Sequence, residues 1–213
     1  MEKEKVFNVT STIDLEKDAF FSLIDSDLNE HGTVVIKDEI INVYLRNGDE
    51  RKFESNFNKL KDFVKERGYT FIPLDEESRW ENFNPNPLGK DVNDCTIRAY
   101  CAAKGIEWDT AFDYACEVAG NEKDIINSDP VCTKVMTEKL GMILNKESKK
   151  VKPKNRQTVM EFACTHPEGT FILLCPKHAV CVKSGRYWDS WNSGKVKVKS
   201  FYEFPDESYK PKD

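Results

Sequence analysis

Cys95 is the residue of this chain best placed to act as a nucleophile, because it begins a predicted helix. That helix, over residues 95–103, follows Asp94, a residue type that caps helices, and ends at Gly105. The free N–H groups and partial positive charge of a first helical turn favour a thiolate over a thiol. Because the carboxylate of Asp94 opposes this effect, we expect Cys95 to need a neighbouring imidazole.

His178 is the imidazole that the sequence favours among three histidines. His31 is predicted to end a helix at the surface, and His166 precedes a proline in a loop. His178 begins a predicted strand, and its place in a hairpin distinguishes it from the other two. We therefore expect His178 to act as the base for Cys95.

The predicted hairpin places an acid beside His178. If Ser184-Gly185 is a two-residue turn between strands over residues 178–183 and 186–191, Asp189 is the diagonal neighbour of His178 on the same face. An aspartate there could accept a hydrogen bond from one ring nitrogen and leave the other facing the thiol. A three-residue turn would shift the register by one residue and turn Asp189 to the opposite face.

These segments resemble papain-like cysteine peptidases. Residues 177–180 and 187–191 are similar to the His-Ala-Val and Asn-Ser-Trp elements of that family. Residues 93–99 look like the nucleophile helix of small papain-like proteins of phage and bacterial genomes, including bacteriocin-processing peptidases. Residues 166–171 are similar to the same proteins, so the resemblance covers roughly residues 90–204.

The resemblance implies a role for each site residue: Cys95 is the nucleophile, His178 the base and Asp189 the orienting acid. The family commonly has Asn at the third position, and it has an oxyanion-stabilising Gln where this chain has Gly89. Asn93 or Asn86 could supply the missing amide, and we prefer Asn93, with the backbone N–H of Cys95 as second donor. Trp191 and Trp188 could shield the His–Asp pair from water or could equally be core aromatics.

The two parts of the chain differ in charge and in cysteine content. Residues 1–80 contain 12 Lys and Arg against 18 Asp and Glu, and all seven cysteines lie beyond residue 94. The Pro/Asn-rich stretch over residues 81–90 is typical of a linker. We therefore predict an α+β protein in which a ferredoxin-like βαββαβ domain (1–80) precedes a papain-like domain (91–213), with N-terminal helices packed on an antiparallel sheet.

Apolar periodicity predicts the individual elements. In residues 1–80 they are strands over 6–13, 33–36, 40–45 and 69–74 and helices over 15–28 and 53–66. Further helices begin at Asp109, at Ser128 or Asp129, and at Thr158, and a central strand covers 170–175. The strand over 195–201 alternates Lys with Val and is predicted to lie at a sheet edge, whereas the basic segment 146–156 is predicted to be a solvated loop rather than a binding patch.

Composition excludes several classes of protein. A net charge of −5 without long single-sign blocks argues against a nucleic-acid binder, and no apolar run has the length of a membrane span. No secretory signal is recognised, and the odd cysteine count indicates reduced thiols in the cytoplasm, or in the host cytoplasm if the protein is phage-encoded. Cys175, His178 and Cys181 have a metal-like spacing, but the two cysteines would face away from the histidine, so we expect no metal and no cofactor.

The sequence thus predicts a thiol hydrolase that cleaves a peptide or isopeptide bond with a Cys95–His178–Asp189 triad. The alternatives are an acyl transferase with the same triad and a non-catalytic protein-binding module on the same scaffold. The expected partner is a protein or peptide substrate, and residues 1–80 are predicted to bind a further protein.

Overall fold

The computed structural model describes residues 19–53, 57–75, 77–90 and 92–205. Over these residues the protein is mixed α+β, with five α-helices and two sheets of five and six strands, so the predicted α+β class is confirmed. Contacts divide the chain into two compact units. Unit 1 contains the described residues up to Arg79 together with residues 164–168, and unit 2 contains residues 80–163 and the chain from residue 169 onward.

Unit 1 is a five-stranded antiparallel sheet with one helix. Its elements are β1 (Ala19–Ile24), β2 (Glu30–Lys37), β3 (Ile40–Leu45), β4 (Glu50–Lys52), α1 (Phe57–Glu66) and β5 (Thr70–Leu74). The strand order is β4-β3-β2-β1-β5. Leu60, Phe63 and Val64 of α1 are buried and belong to the same apolar cluster as the inward-facing residues of the central strands, which explains the amphipathic pattern of the helix.

The predicted helix over residues 15–28 is wrong, because β1 occupies residues 19–24. The apolar residues of this segment fit either a helix or a strand. The segment is a strand because it pairs with β2 on one side and with β5 on the other. His31 accordingly lies in β2 and not at a helix end. The described residues have the order ββββαβ, so the βαββαβ, ferredoxin-like prediction is not met; the strand predicted over residues 6–13 lies outside the described residues.

Unit 2 contains the other helices and a six-stranded sheet. The elements are β6 (Trp80–Asn82), α2 (Cys95–Lys104), α3 (Trp108–Glu122), α4 (Asp129–Lys134), β7 (Ile143–Leu144), α5 (Val159–Thr165), β8 (Thr170–Cys175), β9 (His178–Lys183), β10 (Arg186–Asp189) and β11 (Ser200–Glu203), with the end of α5 counted in unit 1. The order is β6-β10-β9-β8-β11-β7, in which only the pair β6 and β10 is parallel. Helix α2 packs against β9.

Most predicted elements of unit 2 are confirmed. Helix α2 begins at Cys95 and ends at Gly105, which has the left-handed φ of 69° that favours glycine at a helix end. Ser128 caps α4 by accepting from the N–H of Val131. Strands β9 and β10 pair in the predicted register across Ser184-Gly185.

Two predictions about unit 2 need correction. The strand predicted over residues 195–201 lies instead at Ser200–Glu203, and β11 is internal between β8 and β7 rather than at the edge. Part of the predicted linker over residues 81–90 is a strand, because β6 pairs with β10 from Trp80 to Asn82. In both cases the pairing strand lies far away in the sequence, so a local residue pattern does not indicate the pairing.

Among the described residues, none of the helices combines the length and the apolar character needed to cross a bilayer.

The left-handed end of α2 is testable by substitution at Gly105. A Cβ atom at this position would meet no atom within 4 Å, so only backbone strain is at stake. We expect Gly105→Ala to lower the free energy of unfolding by about 1–2 kcal/mol and Gly105→Asn to lower it less, because Asn tolerates positive φ. All four tryptophans lie in unit 2, so urea unfolding followed by tryptophan fluorescence reports this unit. An equal decrease in the free energy of unfolding for the two variants would contradict an explanation based on the positive φ of Gly105.

Candidate active site

Cys95 is the first residue of α2 and is half-buried. Asp94 occupies the N-cap position, but the prediction that its side chain caps the helix is wrong, since the carboxylate makes no capping hydrogen bond. It pairs instead with Arg98, one turn further along, and accepts a hydrogen bond of 2.9 Å from Nε1 of Trp108. The carboxylate is thus neutralised and directed away from the free N–H groups of the first turn.

Arg98 lies between two buried acids. Its guanidinium pairs with Asp94 and places Nη2 3.8 Å from Oδ1 of Asp189, and Arg98 itself is only 4% exposed. A single carboxylate at this depth would be strongly destabilising, whereas one cation between two carboxylates offsets much of the desolvation cost. Arg98 therefore links the helix that carries Cys95 to the strand that carries Asp189.

His178 and Asp189 are hydrogen-bonded across the hairpin. Nε2 of His178 lies 2.6 Å from Oδ2 of Asp189, and Asp189 is 2% exposed. The other carboxylate oxygen, Oδ1, accepts from the backbone N–H of Ser190 at 2.8 Å. This arrangement occupies Nε2 and leaves Nδ1 as the ring nitrogen available to a thiol.

The backbone of Asp189 is held by the chain just after unit 1. Its carbonyl accepts hydrogen bonds from Nε1 of Trp80 at 3.0 Å and from the N–H of Phe83 at 2.9 Å. Sequence reasoning missed both residues, together with Arg98. The Asp94–Arg98 spacing of four residues on one helix is a recognisable ion-pair signal, but nothing local connects residues 80–83 with Asp189.

Cys95, His178 and Ala179 line the same cleft, and the pKa of the Cys95 thiol reflects hydrogen bonding from His178 and from the backbone N–H of Ala179. Burial by itself would raise the pKa of Cys95, but these two hydrogen bonds and the positive charges of His178 and Arg98 outweigh burial and lower it below its usual range. Burial likewise opposes the charge of His178, yet the hydrogen bonds to Asp189 and Cys95 raise its pKa to about 9. Both shifts favour a thiolate–imidazolium pair.

The other described thiols behave differently. Burial raises the pKa to about 12 for Cys101, Cys175 and Cys181, and it raises the pKa of Cys132 as well. Cys116 is the exposed cysteine, on the surface of α3. The direction of the pKa shift therefore distinguishes Cys95 from these buried thiols, and exposure distinguishes Cys116 from all of them.

Cys95 and His178 open onto a cleft of about 910 Å³. Asn93, the preferred oxyanion donor of the sequence analysis, is exposed and lines this cleft. Trp191 is 45% exposed, and its ring centroid lies 5.2 Å from that of His178, so the indole covers one side of the imidazole. Asn86, the alternative donor, is instead directed to Asp94, with Nδ2 3.5 Å from its carboxylate.

The remaining candidates lie elsewhere. Trp188 packs edge-on against Phe83 beside the core. His31 pairs with Asp25 in unit 1, and Nδ1 of His166 lies 3.0 Å from Oγ1 of Thr165. In the part of the chain that the structure describes, no group of three or more His, Cys, Asp or Glu side chains is placed to hold a metal ion.

Comparison with known proteins does not assign this chain: no protein-family model, curated protein or solved structure matches it. The function is therefore inferred from the geometry of Cys95, His178 and Asp189.

Replacing Arg98 tests whether the buried cation holds the site together. We expect Arg98→Met to lower the free energy of unfolding of unit 2 by about 3–5 kcal/mol, because buried Asp94 loses its cation and Asp189 loses one of its two. The double variant Arg98→Met with Asp94→Asn should lose less than Arg98→Met alone, since the charge left without a cation is gone. Urea unfolding followed by tryptophan fluorescence measures both, and a double variant that is less stable than Arg98→Met would refute the charge explanation.

Proposed function

We propose that the protein is a papain-like thiol hydrolase that cleaves a peptide or isopeptide bond. The observation that carries the proposal is that His178 is hydrogen-bonded to Asp189 and lines the same cleft as Cys95, whose pKa it lowers. Acyl transfer to a cysteine sulfur requires a nucleophile, a base that activates it and an acid that orients the base. A helix that presents the cysteine to an antiparallel hairpin carrying the histidine and the acid supports the papain-like architecture.

The proposed reaction begins with attack of the Cys95 thiolate on the scissile carbonyl. The carbonyl π electrons move to oxygen, where the backbone N–H of Cys95 and the amide of Asn93 would stabilise the oxyanion. The imidazolium of His178 then donates its proton to the leaving amine as the C–N bond breaks and a thioester remains. Water, deprotonated by His178, attacks the thioester and releases the acid and the thiol.

Trp191 and Asp189 have supporting parts in this scheme. The indole of Trp191 covers the imidazole and limits access of water to the ion pair. Asp189 stabilises the positive charge on His178 and fixes the ring so that Nδ1 is directed at the sulfur.

Peptide cleavage tests the proposed activity directly. We expect wild-type protein, incubated with a library of proteome-derived peptides, to generate new amino termini that mass spectrometry detects. Cys95→Ala is the matched control and should generate none, because it lacks the nucleophile. Adding a primary amine separates hydrolysis from acyl transfer, since transfer would yield amides in place of free acids. Identical peptide patterns with wild type and Cys95→Ala would refute the hydrolase.

The role of Asp189 predicts a pH-dependent defect in alkylation of Cys95. With His178 at a pKa of about 9, the imidazolium and its stabilising effect are complete below pH 6.5 and are lost as the pH rises through 9. In Asp189→Ala the pKa of His178 falls, so we expect iodoacetamide to modify Cys95 at least about tenfold more slowly at pH 6, where each unit of pKa is a factor of ten. At pH 9.5 the rates should be similar, because the thiol ionises unaided.

Two controls sharpen the alkylation measurement. A Cys116→Ser background removes the exposed thiol, so that intact mass reports Cys95. Asp189→Asn should retain more of the rate at pH 6 than Asp189→Ala, because an amide oxygen can still accept from the ring. Equal rates for all three proteins at every pH would reduce the site to a Cys95–His178 dyad.

A further inference from the structure

The cleft around Cys95 is strongly basic although the chain is acidic. Besides Arg98, whose charge Asp94 and Asp189 already balance, four cationic side chains line it: Lys149, Arg156, Lys177 and Lys199. Asp129 is the acidic residue in the lining. The protein has a net charge of −5, so a concave surface with this concentration of positive charge differs from the chain as a whole.

In the part of the chain that the structure describes, the lysines of the cleft are not engaged in ion pairs. Within the described residues, no carboxylate pairs with Lys149, Lys177 or Lys199, and all three are exposed. Elsewhere in unit 2, Lys134 and Lys139 pair with acidic residues at 2.6 and 2.7 Å. The positive charges of the cleft therefore remain available to a ligand.

Arg156 adds a donor without an acceptor. Its Nε is buried and has no hydrogen-bond partner in the described part of the chain. A planar guanidinium donor is suited to a carboxylate, which can accept two parallel hydrogen bonds. The basic segment over residues 146–156, predicted to be a solvated loop, thus contributes Lys149 and Arg156 to the cleft.

Lys177 is held in an unfavourable backbone conformation next to His178. The turn Pro176-Lys177 joins Cys175 to His178, and Lys177 has a φ of 56°. This left-handed conformation favours glycine or asparagine at the second position of such a turn. The turn places Lys177 immediately before His178 and in the lining of the cleft.

We propose that the cleft selects acidic peptides, with Asp or Glu side chains close to the bond that Cys95 attacks. The inference rests on the proposed function, since it names the substrate of the same site. A peptide is favoured over a nucleic acid because the cations surround a thiol suited to acyl transfer and the chain as a whole has a net charge of −5. Lys177 and Lys199 would contact the carboxylates from the two sides of β8, and Arg156 and Lys149 from the neighbouring loop.

A matched pair of covalent probes tests the charge preference. Two peptide vinyl sulfones, identical except for Glu or Gln in the positions next to the electrophile, are reacted with the Cys116→Ser protein. The thiolate forms an S–C bond with the β-carbon, the C=C π bond breaks, and the α-carbon takes a proton. We expect the Glu probe to modify Cys95 about tenfold faster, in the range by which charged clefts raise encounter rates, and salt to reduce the ratio.

Variants that remove positive charge test whether the lysines of the cleft cause the preference for the Glu probe. Lys177→Gln combined with Lys199→Gln should bring the ratio of the two rates towards one. Lys183→Gln is the matched control, because Lys183 is exposed at the far end of β9 and outside the cleft lining. It should leave the ratio as in the unsubstituted protein.

Peptide binding to the Cys95→Ala variant tests the preference for acidic peptides without depending on the reactivity of the thiol. Fluorescence anisotropy should give a lower Kd for a Glu-containing peptide than for its Gln counterpart. Equal affinities and equal probe rates would overturn the acidic-peptide proposal and leave the hydrolase proposal intact. Preference for the Glu peptide with an unreactive Cys95 would support the substrate class and refute the hydrolase. A single-stranded oligonucleotide of equal charge that competes better than the Glu peptide would overturn the choice of a peptide.

Discussion

The buried guanidinium of Arg98 is the interaction on which the geometry of the site depends. It joins Asp94, at the start of the helix that carries Cys95, to Asp189, at the end of the strand that faces His178. Charges this deeply buried are tolerated only as a set, so each of the three fixes the others. The same cation removes the electrostatic objection to a thiolate beside Asp94, because the carboxylate is balanced by Arg98 and the free N–H groups of the first turn keep their effect.

The register of the hairpin formed by β9 and β10 is the second constraint on the site, and a turn of two residues sets it. The two-residue turn at Ser184-Gly185 places Asp189 on the face of His178, and a shift of one residue would turn the acid away. Trp80 and Phe83 then hold the carbonyl of Asp189 through the parallel pair of β6 and β10. A segment that looks like a linker in sequence is therefore part of the structure that positions the acid.

Local signals in the sequence were sufficient for some elements and not for others. The turn at Ser184-Gly185 and the helix end at Gly105 each place a glycine at positive φ, which is a local signal in the sequence, and both predictions are confirmed. The apolar run of β1 fits two kinds of element, and only its pairing with β2 and β5 selects the strand. Asp94 was predicted to cap α2, but Arg98 competes for its carboxylate, and a charged partner forms the stronger hydrogen bond.

The positive cleft has a consequence for both the nucleophile and its proposed substrate. A thiolate at Cys95 and a carboxylate on a bound peptide repel each other, and this repulsion alone would raise the pKa of the thiol as substrate binds. Lys177, next to His178, can attract both anions and screen them from one another. The cations of the cleft would thus serve binding and reactivity together: they concentrate an acidic peptide near the sulfur, and they keep the thiolate charged once the peptide has arrived.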